Sequence, residues 1–254
     1  MATLGGCGEK ITREHFVSRN ILERITTDTL HFENARHFFG GKDVTEIGID
    51  AFSAKVLCDQ HNSRLTDLDT SAGLALESIE SLADDFSRLN TLKSDSFRLC
   101  SGIDMERWMV KVYCGLVAAK KIRSKSGQML KGTELDPQLL QALVGNIALP
   151  APMGLYIHRF AGQTVAAKRL QFGTIQLTGS DGVGGFMLSL GVMNFVLVTS
   201  QRYGETFYEK NWYRHQELAW NLKSGQNRMP TFSRTDAHLQ EKSRSIERLG
   251  KKRR

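Results

Sequence analysis

The 254-residue chain has no run of eighteen apolar residues, so it lacks a segment long enough to cross a bilayer as a helix. Its first ten residues, MATLGGCGEK, hold no basic stretch followed by an apolar one; the pattern of a secretory signal is missing, and a cytoplasmic protein without a membrane partner is expected. Cysteine is scarce. Cys7, Cys58, Cys100 and Cys114 are the only four, and in the absence of a secretion signal they read as reduced thiols or metal ligands rather than a disulfide framework. There is no internal repeat, and no low-complexity tract beyond the basic C-terminal residues. The glycine-rich GSDGVGG at 179–185 lacks the Lys-Ser/Thr of a phosphate-binding loop, and its place between strand-like segments makes it a hairpin turn.

What is present is the composition of a folded protein of one or two domains, 41% hydrophobic and 24% charged. The net charge of +7 is unevenly placed: sixteen acidic residues face eleven basic ones over 1–100, and thirteen basic residues face six acidic ones over 201–254. The tail EKSRSIERLGKKRR suits a polyanionic partner, and a solvated, self-repelling end has the same composition. Phe207, Tyr208, Trp212, Tyr213 and Trp220 interleave with Lys210, Arg214 and His215, a pattern that could stack bases. A helical core stripe explains the same spacing and is the first reading.

Ile11 to Val17 fits a short strand and Ala54 to Leu57 a second one ending at Cys58. Past His61-Asn62, Leu65, Leu68, Ala72, Leu76 and Ile79 recur at three- and four-residue spacing on one helical face. The insertion 18–53 contains a helical turn at 20–25 and a loop at Phe38-Phe39-Gly40-Gly41. A second helix is predicted over 104–122, with Trp108, Val112 and Leu116 on one face, acidic residues near its start and lysines near its end. A third covers 136–146, with proline in its first turn. Strands follow at Gly154–Phe160, Leu170–Leu177 and Gly185–Thr199. The fold class is therefore α+β, divided into an N-terminal module over 1–95, an α+β body over 96–222 and a basic tail over 223–254.

Glu14 and His15 place a hard carboxylate beside an imidazole that can accept a proton near neutral pH. Neighbours along a strand point to opposite faces, so one could bind a cation while the other meets a water. Cys58 and His61 stand at C-x-x-H spacing at a strand end, followed at once by Asn62. With Cys7 they form three candidate zinc ligands. Position 4, where a C-x-x-C pair would supply the fourth, is Leu. Cys7 and Cys58 as small buried residues fit the spacing equally well. His31, His37, His158, His215 and His238 have no partner pattern.

The order Cys-Gly, then T-R-E-H, then V-L-C-x-x-H-N-x-x-L-x-x-L-D resembles the HNH nucleases, the ββα-metal or His-Me finger group, in the branch built on a zinc-ribbon-like, treble-clef-like frame. The resemblance covers roughly residues 4–80. It implies an N-terminal ββα-metal nuclease module ahead of a helical and antiparallel β body. It also implies that Glu14 and Asn62 ligate one divalent cation, Mg²⁺ or Mn²⁺, that His15 is the general base, and that Cys7, Cys58 and His61 hold a structural Zn²⁺. The family's middle residue, which orients the base, has no assignable position. The expected activity is hydrolysis of phosphodiester bonds in DNA, as an endonuclease and possible defence or toxin effector. Arg13, Arg19, Arg64 and the tail residues Lys251, Lys252, Arg253 and Arg254 are the candidate phosphate contacts. The body would recognise substrate, form a homo-oligomer or receive a regulatory partner. The alternative is a non-catalytic nucleic-acid-binding protein that retains the fold.

The tail yields the first prediction. Residues 241–254 carry seven basic and two acidic side chains, so deleting them should weaken nucleic-acid binding more than it slows cleavage at saturating substrate. The slope of log K against log salt should fall by about 0.9 for each duplex phosphate that the shortened chain no longer neutralises. Binding titrations at several salt concentrations check this, and parallel lines of equal affinity would mean that the tail does not touch the substrate.

Overall fold

The computed structural model describes residues 5–25, 29–33, 44–87, 96–130, 135–158, 170–177, 179–190, 193–201, 212–214, 220–221 and 227–233. Strand β1 (Ile11–His15) leads into helix α1 (Arg19–Ile25), which buries Ile21, Leu22 and Ile25. Strands β2 (Thr29–Glu33) and β3 (Val44–Gly48) pair antiparallel, and a 3-10 turn at Ile49–Phe52 enters strand β4 (Ser53–Cys58). β4 lies antiparallel to β1, with Ile11 opposite Cys58 and His15 opposite Ser53. The register steps from Thr12–Leu57 to Arg13–Lys55, so Val56 is the extra residue of a bulge.

Helix α2 (Asp59–Ser87) follows β4 without a break. The predicted stripe Leu65, Leu68, Ala72, Leu76 and Ile79 is buried along its length. The helix begins before Asn62, so His61 and Asn62 both stand on its first turn. Strand β5 (Ser96–Ser101) then runs into helix α3 (Gly102–Ala118), whose first turn is capped by the Ser101 hydroxyl accepting from the Asp104 N–H at 3.1 Å. α3 stops at Ala118 rather than Ile122, and Lys120 with φ 58 carries the chain away. Helix α4 (Pro137–Leu143) is capped by Asp136 and ends ahead of Gly145, at φ 83, instead of running to 146.

Strands β6 (Gly154–His158), β7 (Leu170–Gln176), β8 (Val183–Leu190), β9 (Met193–Val198) and β10 (Trp212–Tyr213) form a five-stranded antiparallel sheet in the order β10-β6-β9-β8-β7. The expected single strand 185–199 is two strands, β8 and β9, with Leu190 opposite Met193. Nearly every residue of the run is buried, so no alternation of polar and apolar side chains marks where it folds back. Gly179–Gly182 turns β7 into β8, the Leu177 N–H donating to the Gly182 carbonyl at 3.0 Å. Strand β11 (Trp220–Asn221) pairs with β12 (Asn227–Ser233), and β12 runs parallel to β5. The aromatic segment is a further correction: Trp212, Tyr213 and Trp220 lie on short strands, not on a helix, because Trp212 and Tyr213 find their partner in the distant β6 and Trp220 pairs with the following strand β12. Phe207, Tyr208, the loop 38–41 and residues 234–254 lie outside the described residues.

α3 touches α2, α4, β6, β9 and β12. It thereby brings Phe16 and Leu65 from the first predicted domain into one buried cluster with Trp108, Leu155 and Phe186 from the second. Gly115 lets the end of β1 approach α3: a Cβ there would lie 3.1 Å from the Phe16 ring. Among the described residues no helix is long and apolar enough to cross a membrane.

The sheet edge is fastened to α3 by Arg214, which donates to both oxygens of Glu106 at 2.9 and 2.7 Å and to the Leu149 carbonyl at 2.8 Å. Glu106 also accepts from the Leu155 N–H at 2.9 Å. Replacing Arg214 by Met should lower stability by about 2 kcal/mol, below the usual loss for a broken buried pair because the arginine keeps some solvent contact. Urea unfolding of the variant and the parent measures this.

Candidate functional site

The pleat of β1 divides its side chains between two faces. Thr12 and the buried Glu14 turn toward α2, and Arg13 and His15 turn the other way. Asn62, on the first turn of α2, donates through Nδ2 to Thr12 Oγ1 at 3.1 Å and lies close enough to the Glu14 carboxyl to favour its ionised form. Thr12 and Asn62, 50 residues apart in the chain, are thus joined by a hydrogen bond.

Glu14 is also ion-paired with Lys111 of α3, whose side chain is only 3% exposed. The same ammonium group donates to both oxygens of Asp69, at 2.6 and 2.7 Å. Asp69 accepts in addition from Ser18 Oγ at 2.5 Å, and that hydroxyl accepts from Trp108 Nε1 at 2.7 Å. Burial pushes the Glu14 carboxyl above its ordinary range, with Lys111 opposing the rise and Asp69 adding to it. No sequence pattern singles out Lys111 or Ser18, and Asp69 is the closing residue of the V-L-C-x-x-H-N-x-x-L-x-x-L-D order, with no role attached to it there. The one signal for Lys111 is a single cation inside the apolar run WMVKVYCGLV.

His15 sits on the other face. Its Nε2 is buried, has no hydrogen-bond partner among the described residues, and lies 3.8 Å from Asp50 Oδ1. Burial lowers its pKa, Arg19, Lys111 and Arg13 push it further down, and Asp50 opposes them. Its surroundings therefore favour the neutral imidazole. Arg13 is exposed and donates to Ser53 Oγ at 3.3 Å; Arg19 is exposed and ion-paired with Glu23 at 2.7 Å. Arg64 is exposed on α2. Lys251, Lys252, Arg253 and Arg254 lie outside the described residues.

At the opposite end of the strand pair, the ligating atoms of Cys7, Cys58 and His61 lie within 4.8 Å of one another. His61 Nδ1 is 3.1 Å from Cys58 Sγ and 3.7 Å from Cys7 Sγ. Cys58 closes β4 and His61 stands on the first turn of α2, so the sequence spacing becomes a convergence of side chains. The backbone N–H groups of His61 and Gly8 donate to Cys58 Sγ and lower its pKa against burial, which favours the thiolate. Gly8 allows this close approach, since a Cβ there would fall 1.9 Å from Asp59 Oδ1. Two sulfurs and one imidazole nitrogen are a donor set for a soft or borderline ion. Glu14 and Asn62 offer oxygen donors for a hard one, in a cluster where two carboxylates face one ammonium. Cys100 and Cys114 are core residues, and burial pushes the Cys114 thiol up to about 12.

No family model, curated protein or solved structure matches the chain.

The convergence of Cys7, Cys58 and His61 predicts that the protein takes up about one equivalent of Co²⁺ with a sulfur-to-cobalt charge-transfer band in the near ultraviolet. Cys58→Ser should remove most of that absorbance and lower the thermal midpoint of the metal-loaded protein. Spectrophotometric titration of the two proteins is the check.

Proposed function

We propose that the chain is a metal-dependent phosphodiesterase of the HNH type that cuts DNA, with His15 as general base, Glu14 and Asn62 as ligands of Mg²⁺ or Mn²⁺, and Cys7, Cys58 and His61 as ligands of Zn²⁺. The observation that carries the reading is the approach of Asn62 to Glu14, with the next residue of the strand, His15, turning to its other face an Nε2 that has no hydrogen-bond partner among the described residues. The same three residues stand out from their order in the sequence alone.

His15 is suited to take a proton from water. Burial favours its neutral form and Nε2 has no hydrogen-bond partner among the described residues, so a water placed there can attack phosphorus in line as its proton passes to Nε2. The new P–O bond forms as the bond to the 3′ oxygen breaks, and the departing oxygen takes a proton from solvent. Asp50, 3.8 Å from Nε2, faces the imidazolium that results. A divalent ion held by Glu14 and Asn62 would neutralise charge on the phosphate and on the leaving oxygen. Arg13 and Arg19 lie close enough to His15 to shift its titration, and phosphates flanking the scissile bond would meet them on that face.

A second reading, a nucleic-acid-binding protein without catalysis, is favoured by one observation: Lys111 already neutralises Glu14. The two readings separate on incubation with plasmid and single-stranded DNA and with RNA, in EDTA, Mg²⁺ or Mn²⁺. Cleavage that needs the metal supports the nuclease, and binding without cleavage under every condition supports the alternative.

His15→Ala should lower the cleavage rate by about a hundred- to ten-thousandfold and leave the fold intact. Because the folded protein disfavours the protonated ring, the acid limb of kcat/KM should fall below the ordinary imidazole value of 6.5. A pH profile of the parent with an acid limb above that value would remove His15 from the role of base.

A further inference from the structure

The ammonium group of Lys111 bears on two carboxylates at once, within hydrogen-bond distance of both oxygens of Asp69 and ion-paired with Glu14. Asp69 is fixed from its other side by Ser18, which is fixed in turn by Trp108. Glu14 is held by Lys111, with Asn62 near enough to favour the ionised carboxylate. The ammonium thus bears on the carboxylate that a divalent ion would use, while its second carboxylate is anchored to Ser18, and through it to Trp108, independently of Glu14.

We propose that Lys111 is the resident cation of this site. It positions Glu14 beside Asn62 in the metal-free protein and gives Glu14 up when a divalent ion arrives, keeping Asp69 as its own counter-ion. The proposal rests on the reading of Glu14 and Asn62 as metal ligands. Lys111 is a positioning residue, acting on the metal through Glu14, and Asp69 acts through Lys111. The measured metal affinity is then the intrinsic affinity reduced by the hold of Lys111 on Glu14.

Mn²⁺ binding to the full chain, followed by electron paramagnetic resonance of the free ion, tests this apart from activity. Lys111→Met removes the competitor, and Mn²⁺ should bind about tenfold more tightly. Asp69→Asn takes away the alternative partner and leaves Lys111 with Glu14 alone, so Mn²⁺ should bind about tenfold more weakly. In the double variant the Asp69 effect should vanish, because Asp69 has no lysine to act through. A simple field of two charges would make the effects add.

Additive effects, or an unchanged or weakened affinity in Lys111→Met, would overturn the proposal and leave Glu14 as a ligand. Should Lys111→Met not fold, Asp69→Asn decides by itself, since it keeps the Lys111–Glu14 pair; affinity equal to the parent or tighter would overturn the proposal. Glu14→Gln separates the parent reading. If it binds Mn²⁺ as the unaltered protein does, Glu14 is not a ligand, and the proposal falls with that assignment.

Discussion

Lys111 carries its charge into the interior on a helix that is otherwise one of the most apolar parts of the chain. Removing an ammonium from water costs several kcal/mol, and that loss is offset only where anions and hydrogen-bond acceptors meet the group in good geometry. Glu14 and Asp69 supply both. Since these come from β1 and α2, the position of α3 is fixed relative to both by the need to satisfy one side chain. Trp108, one turn before Lys111, adds a hydrogen bond to Ser18 from the same face. Packing and charge therefore require the same arrangement of β1, α2 and α3.

The start of α2 points two sets of donor atoms in different directions within the five residues from Cys58 to Asn62. Cys58 closes β4, and His61 and Asn62 follow on the first turn of the helix, where neighbouring side chains point about 100° apart. His61 turns to the sulfurs of Cys7 and Cys58, and Asn62 to Thr12 and Glu14. The soft and hard donor sets are thus held by one turn of helix against one strand pair. In the proposed nuclease, an ion bound by the sulfurs would brace the strand end from which the hard-ion site is built. Chemistry and support would be linked through the backbone between Cys58 and Asn62.

His15 stands apart from this inward cluster because of the strand's pleat. The alternation that buries Glu14 turns His15 to a face shared with Arg13, and it leaves Nε2 without a partner among the described residues. A base needs a free acceptor, and a metal ligand needs a shielded carboxylate. In the proposed nuclease, adjacent residues on one strand would meet these opposite requirements through the ordinary alternation of its side chains.

The sequence by itself determined what local spacing can encode. The stripe from Leu65 to Ile79 on α2, the Trp108 face of α3, the turn before β8 and the pairing of Cys58 with His61 follow from residues a few positions apart, because helix and strand periods map short spacings onto faces. The same logic picks out Glu14-His15 and Asn62 as chemically apt residues. It does not reveal that Lys111 closes on Glu14, that β12 lies parallel to β5, or that 183–198 folds back on itself. Those contacts join residues with no fixed separation, and a run buried on both faces carries no periodic mark of its turn. They were decided by tertiary packing, in which a buried charge must find its counter-ions and a strand its hydrogen-bond partners wherever the chain supplies them.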